Sequence, residues 1–411
     1  MTTGSRPRPP VLDIATDNET TDMRHPGTHR FLRAFWPLAL AQLIGTSVAV
    51  AGPPKTAEIL GSWTLTGLPS GGDKPLNGEI SGITLSADEQ LMLVGADEGA
   101  KVHILRRTGD GSYALDGDRG FPLADHGEEI DIEAVARDGG RYWVIGSHSA
   151  KRKSIKDPAT LKKKDKKKRK KGKRLEDNYN HQRLEEAGPE PARDVIYRLS
   201  VDDQGKVDPD SVRHGSLRPI LDVHPILERF QDIPSKENGI DIEGLAAARG
   251  GGNAKSTRLL VGLRGPVLRG SLAVVLVVEA SEKPRKDDEL ALKLEDTRYL
   301  MLDGRGIRGL SRIDGPDDDY LVLAGPNGDE PVSYRVYRWN GKDTVPEIDH
   351  LDAATNIRPL CEIPPPPTAP AAKAEGIHYL GQKAGQVQLV VVYDSAKNGG
   401  ATRFSCPLDP T

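Results

Sequence analysis

Several things are scarce in this 411-residue chain, and each scarcity narrows its reading. Two cysteines exclude a disulfide-stapled scaffold and a zinc site built on several thiolates. There is no H-E-x-x-H helix and no phosphate-cradling P-loop. Long apolar runs are also missing. The longest, residues 34–51, is interrupted by Pro37, Gln42, Thr46 and Ser47, too broken for a stable transmembrane span. Aromatic residues make up only 5%, and the net charge is only −3. What remains is ordinary for a globular chain, with 36% hydrophobic residues and 44 glycines.

The first 51 residues read as a leader. Arg30 and Arg33 precede the apolar run, which ends in Ala49-Val50-Ala51 before Gly52. A basic flank, a short apolar stretch and small residues at the cut are the marks of a signal peptide. Met23 is the expected true start, with residues 1–22 as polar lead-in. An uncleaved anchor is the alternative. No cysteine follows the cut, which argues against a lipoprotein. The expectation is a mature chain, residues 52–411, in the periplasm or secreted. Such a compartment would favour pairing of Cys361 with Cys406, against the alternative of two separate thiols.

The small net charge hides two opposed parts. Residues 151–174 hold 15 Lys/Arg against Asp157 and Asp165, a net of +13. The leader contributes +1, so the rest of the mature chain carries −17. Self-repelling lysines with almost no apolar residue cannot form a core, so residues 151–193 are expected as a disordered insertion. The insertion is either a tether for anionic surfaces or a solvated loop against its own acidic body. It contains no aromatic residue between 151 and 174, so specific nucleic-acid binding is not expected.

Five segments repeat one pattern: a strand with a polar residue at a fixed place, a tight link, and a very apolar strand. They begin EISGITLS, DIEAVAR, DIEGLAA, GIRGLSR and KAEGIHYL, with Ser81, Glu133, Glu243, Arg308 and Glu375 in matching positions. Third and fourth apolar runs follow, except that the last repeat lacks a fourth. The orphan run 58–68 can fill that slot. The expected fold is all-β: a single-domain propeller of five four-stranded blades, closed by the N-terminal strand. Six blades are the alternative, with one hidden in residues 221–240. Within that stretch residues 223–230 suggest a short helix with Ile226, Leu227 and Phe230 on one side.

The combination DIEAVA…GSHS, a basic insertion, DIEGLA…GLRGPVLRG, GIRGLS…LAGP and AEGIHYL…VVYD resembles domain of unknown function 3616, a bacterial, propeller-like family. The resemblance spans residues 78–394 and brings no activity with it. More distantly, the E-G-[IL] strand starts resemble the phytase-like esterase and lactonase propellers. That likeness is one of fold, so no catalytic residue is carried over.

Chemistry is therefore read from the ring. First-strand starts offer Asp131, Glu133, Asp241, Glu243 and Glu375; second-strand ends offer Asp97, His148, Arg264, Asn327 and Asp394. In a propeller these lie on one face, so they are expected at one channel mouth. Glu133, Glu243 and Glu375 are the candidate ligands for Ca²⁺ or another divalent cation. Arg264 and Arg308 are placed to neutralise the acids or to bind an anionic small molecule. The alternative is that these acids bond to turns and backbone between blades. The Gly304–Gly309 match to G-x-G-x-x-G runs into a strand, which excludes a dinucleotide site. Two functions stay open: a metal-assisted hydrolase of phosphoester, ester or lactone substrates, or a non-catalytic ligand- or partner-binding ring of the cell envelope. The chain is expected to be a monomer. If the basic arm serves the mouth, deleting residues 151–174 should change anionic-ligand affinity in a salt-dependent way, measured by titration at two ionic strengths.

Overall fold

The computed structural model describes residues 54–69, 76–124, 129–157, 179–249, 256–282, 288–328 and 330–408. The leader and residues 158–178 of the basic arm lie outside the described residues. No described helix is long and apolar enough to cross a membrane.

The apolar runs fold as four-stranded antiparallel sheets because their middle strands are buried on both faces, which continuous rather than alternating apolar sequence permits. Strand Leu272–Glu282 is the extreme case: Ala273, Val274, Val275 and Leu276 are all fully buried. Blade 1 runs outward through Ile80–Leu85, Leu91–Ala96, Lys101–Gly109 and Ser112–Pro122. Blade 2 uses Ile132–Asp138, Arg141–Gly146, Ile196–Val201 and Val207–Gly215. Blade 3 uses Asp241–Ala247, Ser256–Gly265, Leu272–Glu282 and Leu290–Met301. Blade 4 uses Gly306–Arg312, Tyr320–Gly325, Tyr334–Trp339 and Ile357–Ile363. Blade 5 has Lys373–Lys383, Gln386–Asp394 and Thr402–Pro407, and takes Glu58–Ser62 as its outer strand. Each inner strand touches the next, and the fifth touches the first, so the ring is closed.

The closing segment works on both sides of the seam. Residues 58–68 do not form one strand. Glu58–Ser62 pairs with Thr402–Pro407 of blade 5, and Thr64–Thr66 adds in parallel to blade 1. Between them, the Trp63 amide donates to Ala401 O at 2.8 Å, and the Thr64 amide donates to Gly111 O at 2.8 Å.

Among the described residues there is no sixth blade. Residues 218–237 form the short helix Arg218–Leu221 and the 3₁₀ turns Leu227–Phe230 and Ser235–Glu237, a wedge whose Leu221 and Leu227 fill the core between blades 2 and 3. The helix expected over residues 223–230 shrinks to the turn Leu227–Phe230. His224 is the reason: its Nδ1 accepts from the amides of Ile226 and Leu227 at 3.2 and 3.1 Å, so the side chain takes donors before a longer helix can form.

The two cysteines are joined. Cys361 lies on the outer strand of blade 4 and Cys406 on the third strand of blade 5, with Cα atoms 5.6 Å apart and both side chains fully buried. The bond ties neighbouring blades and closes a chain separation of 45 residues. The double variant Cys361→Ser/Cys406→Ser is expected to lose about 2–4 kcal/mol of stability, read from denaturant unfolding beside the parent.

Candidate functional site

Each inner strand carries one residue too many for its partner. Register skips fall between Ile80 and Gly82, Ile132 and Ala134, Ile242 and Gly244, Ile307 and Gly309, and Ala374 and Gly376. The skipped residues are Ser81, Glu133, Glu243, Arg308 and Glu375, the five matching positions of the repeats. A β-bulge leaves its extra residue outside the ladder and re-aims its side chain. The residue after each bulge is Gly, or Ala134 in blade 2, because adjacent inner strands approach closely there. A Cβ on Gly376 would sit 3.1 Å from Ser81 O and 2.6 Å from Val392 Cγ2.

The bulges set up a chain of alternating charge across three blades. Asp241 pairs with Arg264 through Oδ2. Arg264 Nη1 lies 2.7 Å from Glu243 Oε1. Arg308 Nη1 donates to the same oxygen at 3.1 Å, and its Nη2 pairs with Glu375. Arg308 and Glu243 are each 2% exposed, so the chain is shielded from solvent. Glu133 is different: it makes no hydrogen bond or ion pair among the described residues, and its charged form is opposed by burial and by Asp131, Glu243 and Asp241, which hold its carboxyl well above the ordinary range.

These groups form the floor of a cavity of about 930 Å³. Asp97, Asp131, Glu133, Asp241, Glu243, Arg264, Glu375 and Asp394 all line it. Glu133, Asp241 and Glu243 can each bring one oxygen within 4.8 Å of the others, as can Glu79, Asp97 and Asp394. Glu375, the third candidate ligand from sequence, is instead engaged by Arg308. Burial, with the nearby charges of Glu375, Glu79 and Asp394, pushes Asp97 up to about 9. Asp131 accepts from Ser147 Oγ at 2.5 Å and pairs with Arg193 at 2.6 Å.

His148 does not reach the cavity. It is fully buried; its Nδ1 donates to Gly146 O at 2.9 Å, and its Nε2 accepts from the Leu217 amide at 3.1 Å. Burial pushes it down to about 4, so it stays neutral and fixes the wedge against blade 2. Asn327 also turns away, its amide donating to Asn238. Arg193 was not among the residues singled out from sequence, yet it neutralises both Asp131 and Glu129. Its signal is weak: it is the last residue of the basic insertion, just before a strand.

The upper wall comes from the flanks of that insertion. Ala150–Arg152 pairs with Ala187–Pro189, beside the helix Tyr179–Glu185. Lys151, Lys153 and Arg183 bring positive charge to the cavity, and Ile155 and Leu184 bring apolar surface.

An all-β ring of five blades with a polar central mouth is the protein class that fold and site define. The chain belongs to the family described as "Protein of unknown function (DUF3616)", which matches residues 79–403. No curated protein matches the sequence. Solved structures that it is similar to include a putative 6-phosphogluconolactonase from Bacteroides uniformis, with 11% identity and a TM-score of 0.32, covering 83% of this chain and 88% of that one. The GH43 β-1,3-galactosidase BT3683 shows 9% identity and a TM-score of 0.33, covering 85% of this chain and 94% of that one. The propeller domain of Cps50 (Swd1) from Myceliophteria thermophila shows 11% identity and a TM-score of 0.30, over 82% of this chain and 85% of that one.

Removing Arg308 leaves Glu243 and Glu375 buried with a lost partner. Arg308→Met should cost about 3–5 kcal/mol, measured by denaturant unfolding. Asp97 gives a pH signature. Its folded pKa, about 9, lies above its unfolded value, so its contribution is full at acid pH and is lost as pH rises toward 9. Ion-free protein should therefore lose thermal stability between about pH 5 and 9, and Asp97→Asn should flatten that slope.

Proposed function

We propose that the mouth binds a divalent cation through Glu133, Asp241 and Glu243 and acts as a hydrolase, with phosphoesters the first substrate class and esters and lactones the neighbouring ones. The observation that carries this reading is the convergence of the three carboxylates, Glu133 among them without an ion pair and Asp241 with Oδ1 buried and unbonded. Oxygen donors alone favour hard ions such as Ca²⁺ or Mg²⁺. A bound ion would polarise a phosphoryl oxygen and lower the pKa of a coordinated water. The chain supplies the rest. Arg264 and Arg308 fix Glu243 in place. Lys151, Lys153 and Arg183 offer charge to an anionic group, while Ile155 and Leu184 offer contact to an apolar body. Asp97 holds a proton near neutrality and is suited to deliver it to a leaving oxygen. Export fits the leader-like run at residues 34–51 and the buried Cys361–Cys406 bond.

One observation favours the non-catalytic ring. The Asp241–Arg264–Glu243–Arg308–Glu375 chain already sets two guanidiniums against three of the floor's carboxylates without a cation. Metal analysis after chelation and reloading separates the two. A cation site predicts about one bound ion per chain, a rise of several degrees in melting temperature, and loss of both in Glu133→Gln while the fold is retained. No ion dependence of melting overturns the cation site. Ion binding with no turnover across phosphoester, ester and lactone substrates leaves the binding ring.

A further inference from the structure

The channel has a second end, lined by Arg137 and Arg312 together with Glu89 and Asp314 rather than by an excess of acids. The closing residues of all five inner strands line a cavity of about 90 Å³ on the face opposite the acidic mouth. That space admits a small ion or the end group of a larger molecule, not a whole organic ligand. Thr84, Arg137, Ser311, Arg312 and His378 contribute its polar atoms from blades 1, 2, 4 and 5.

These are mainly donors in search of an acceptor. Among the described residues no carboxylate lies within ion-pair reach of Arg137. Its Nη1 donates to Gly139 O at 3.2 Å, and its Nε is buried with no partner. Arg312 Nη1 donates to Ala247 O at 3.4 Å, and its nearest carboxylate, Asp314 of the same lining, is 3.9 Å away on a side chain 75% exposed, where solvent screens it. Thr84 is only 4% exposed, and its hydroxyl has no hydrogen-bond partner among the described residues. Ser311 Oγ accepts from the Tyr379 amide at 2.9 Å, which leaves its own O–H to donate. The His378 ring has no hydrogen bond among the described residues, and burial together with Arg137 keeps it uncharged. Glu89, also in the lining, faces Arg107 at 3.5 Å. A buried donor left unbonded is costly, and a guanidinium without a counter-ion more so. An anion answers both costs at once.

We propose that this end of the channel binds a small oxyanion, phosphate or a carboxylate group, held by Arg137 and Arg312 with Thr84 and Ser311 donating from the sides. The site shares no residue with the acidic mouth and does not depend on the cation reading. Calorimetric titration of the full chain in chelator tests it, with phosphate, sulfate and acetate at constant ionic strength against a chloride control. Saturable binding near one anion per chain is expected. Arg137→Gln should weaken it at least tenfold, and Glu133→Gln should leave it unchanged. Thr84→Val provides a second variant if Arg137→Gln fails to fold, with a several-fold loss expected. Preference for phosphate and sulfate assigns a tetrahedral ligand; preference for acetate assigns a carboxylate. Binding no stronger than chloride, or undiminished in folded Arg137→Gln or Thr84→Val, overturns the proposal.

Discussion

Opposite charges buried side by side hold the centre of this ring together. Five bulges push polar side chains out of the inner strands, and three of those five, Glu243, Arg308 and Glu375, meet as ions of alternating sign. Burying any one of them alone would be prohibitive, whereas a chain of pairs with shared oxygens is tolerable. The bulges and the charges therefore need each other. Without the bulge, each side chain would stay in the ladder between two hydrophobic faces. Without the partner, the bulged residue could not stay dry. The glycines that follow four of the five bulges serve the same end, since a bare backbone lets adjacent inner strands come close enough for side chains from different blades to pair.

This balance is incomplete on purpose of geometry alone: Glu133 sits at an equivalent bulge, but blade 2 meets acids on both sides. Its neighbour Asp131 is occupied by Arg193 and Ser147, and Asp241 by Arg264. The uncompensated carboxylate thus falls at one definite place on the ring, beneath a wall whose charge is positive. At the other end the formal charges of the lining balance, and the group left without an ion pair among the described residues is Arg137. Hydrophobic blades separate the two, so each end keeps its own field.

Much of this was legible in the sequence. Doubly buried strands need continuous apolar runs, and such runs gave the strand order of all five blades. The equivalence of Ser81, Glu133, Glu243, Arg308 and Glu375 was readable even though the residue types differ, because the flanking apolar pattern repeats. What escaped was anything decided by a distant segment. His148 looks like a mouth residue until the Leu217 amide, 69 positions away, claims its ring. Arg193 looks like the tail of a basic run until blade 2 folds it onto Asp131. Residues 58–68 read as one strand, and only the seam, with a hydrogen-bond partner on each side, divides it in two. The lysine-rich residues 158–178 carry a clear composition and lie outside the described residues, so their relation to the mouth rests on the flanks alone.

The seam also imposes an order in time. Among the described strands Glu58–Ser62 comes first along the chain, and its partner, Thr402–Pro407, comes last. Until Thr402–Pro407 is in place, Glu58–Ser62 has no partner and Gln386–Asp394 keeps an unprotected edge. Contacts across so long a sequence separation form slowly, and exposed edges invite aggregation meanwhile. The ring therefore closes only when Glu58–Ser62 and Thr402–Pro407 meet, and loss of the latter strand would remove Cys406 and open the seam in one step.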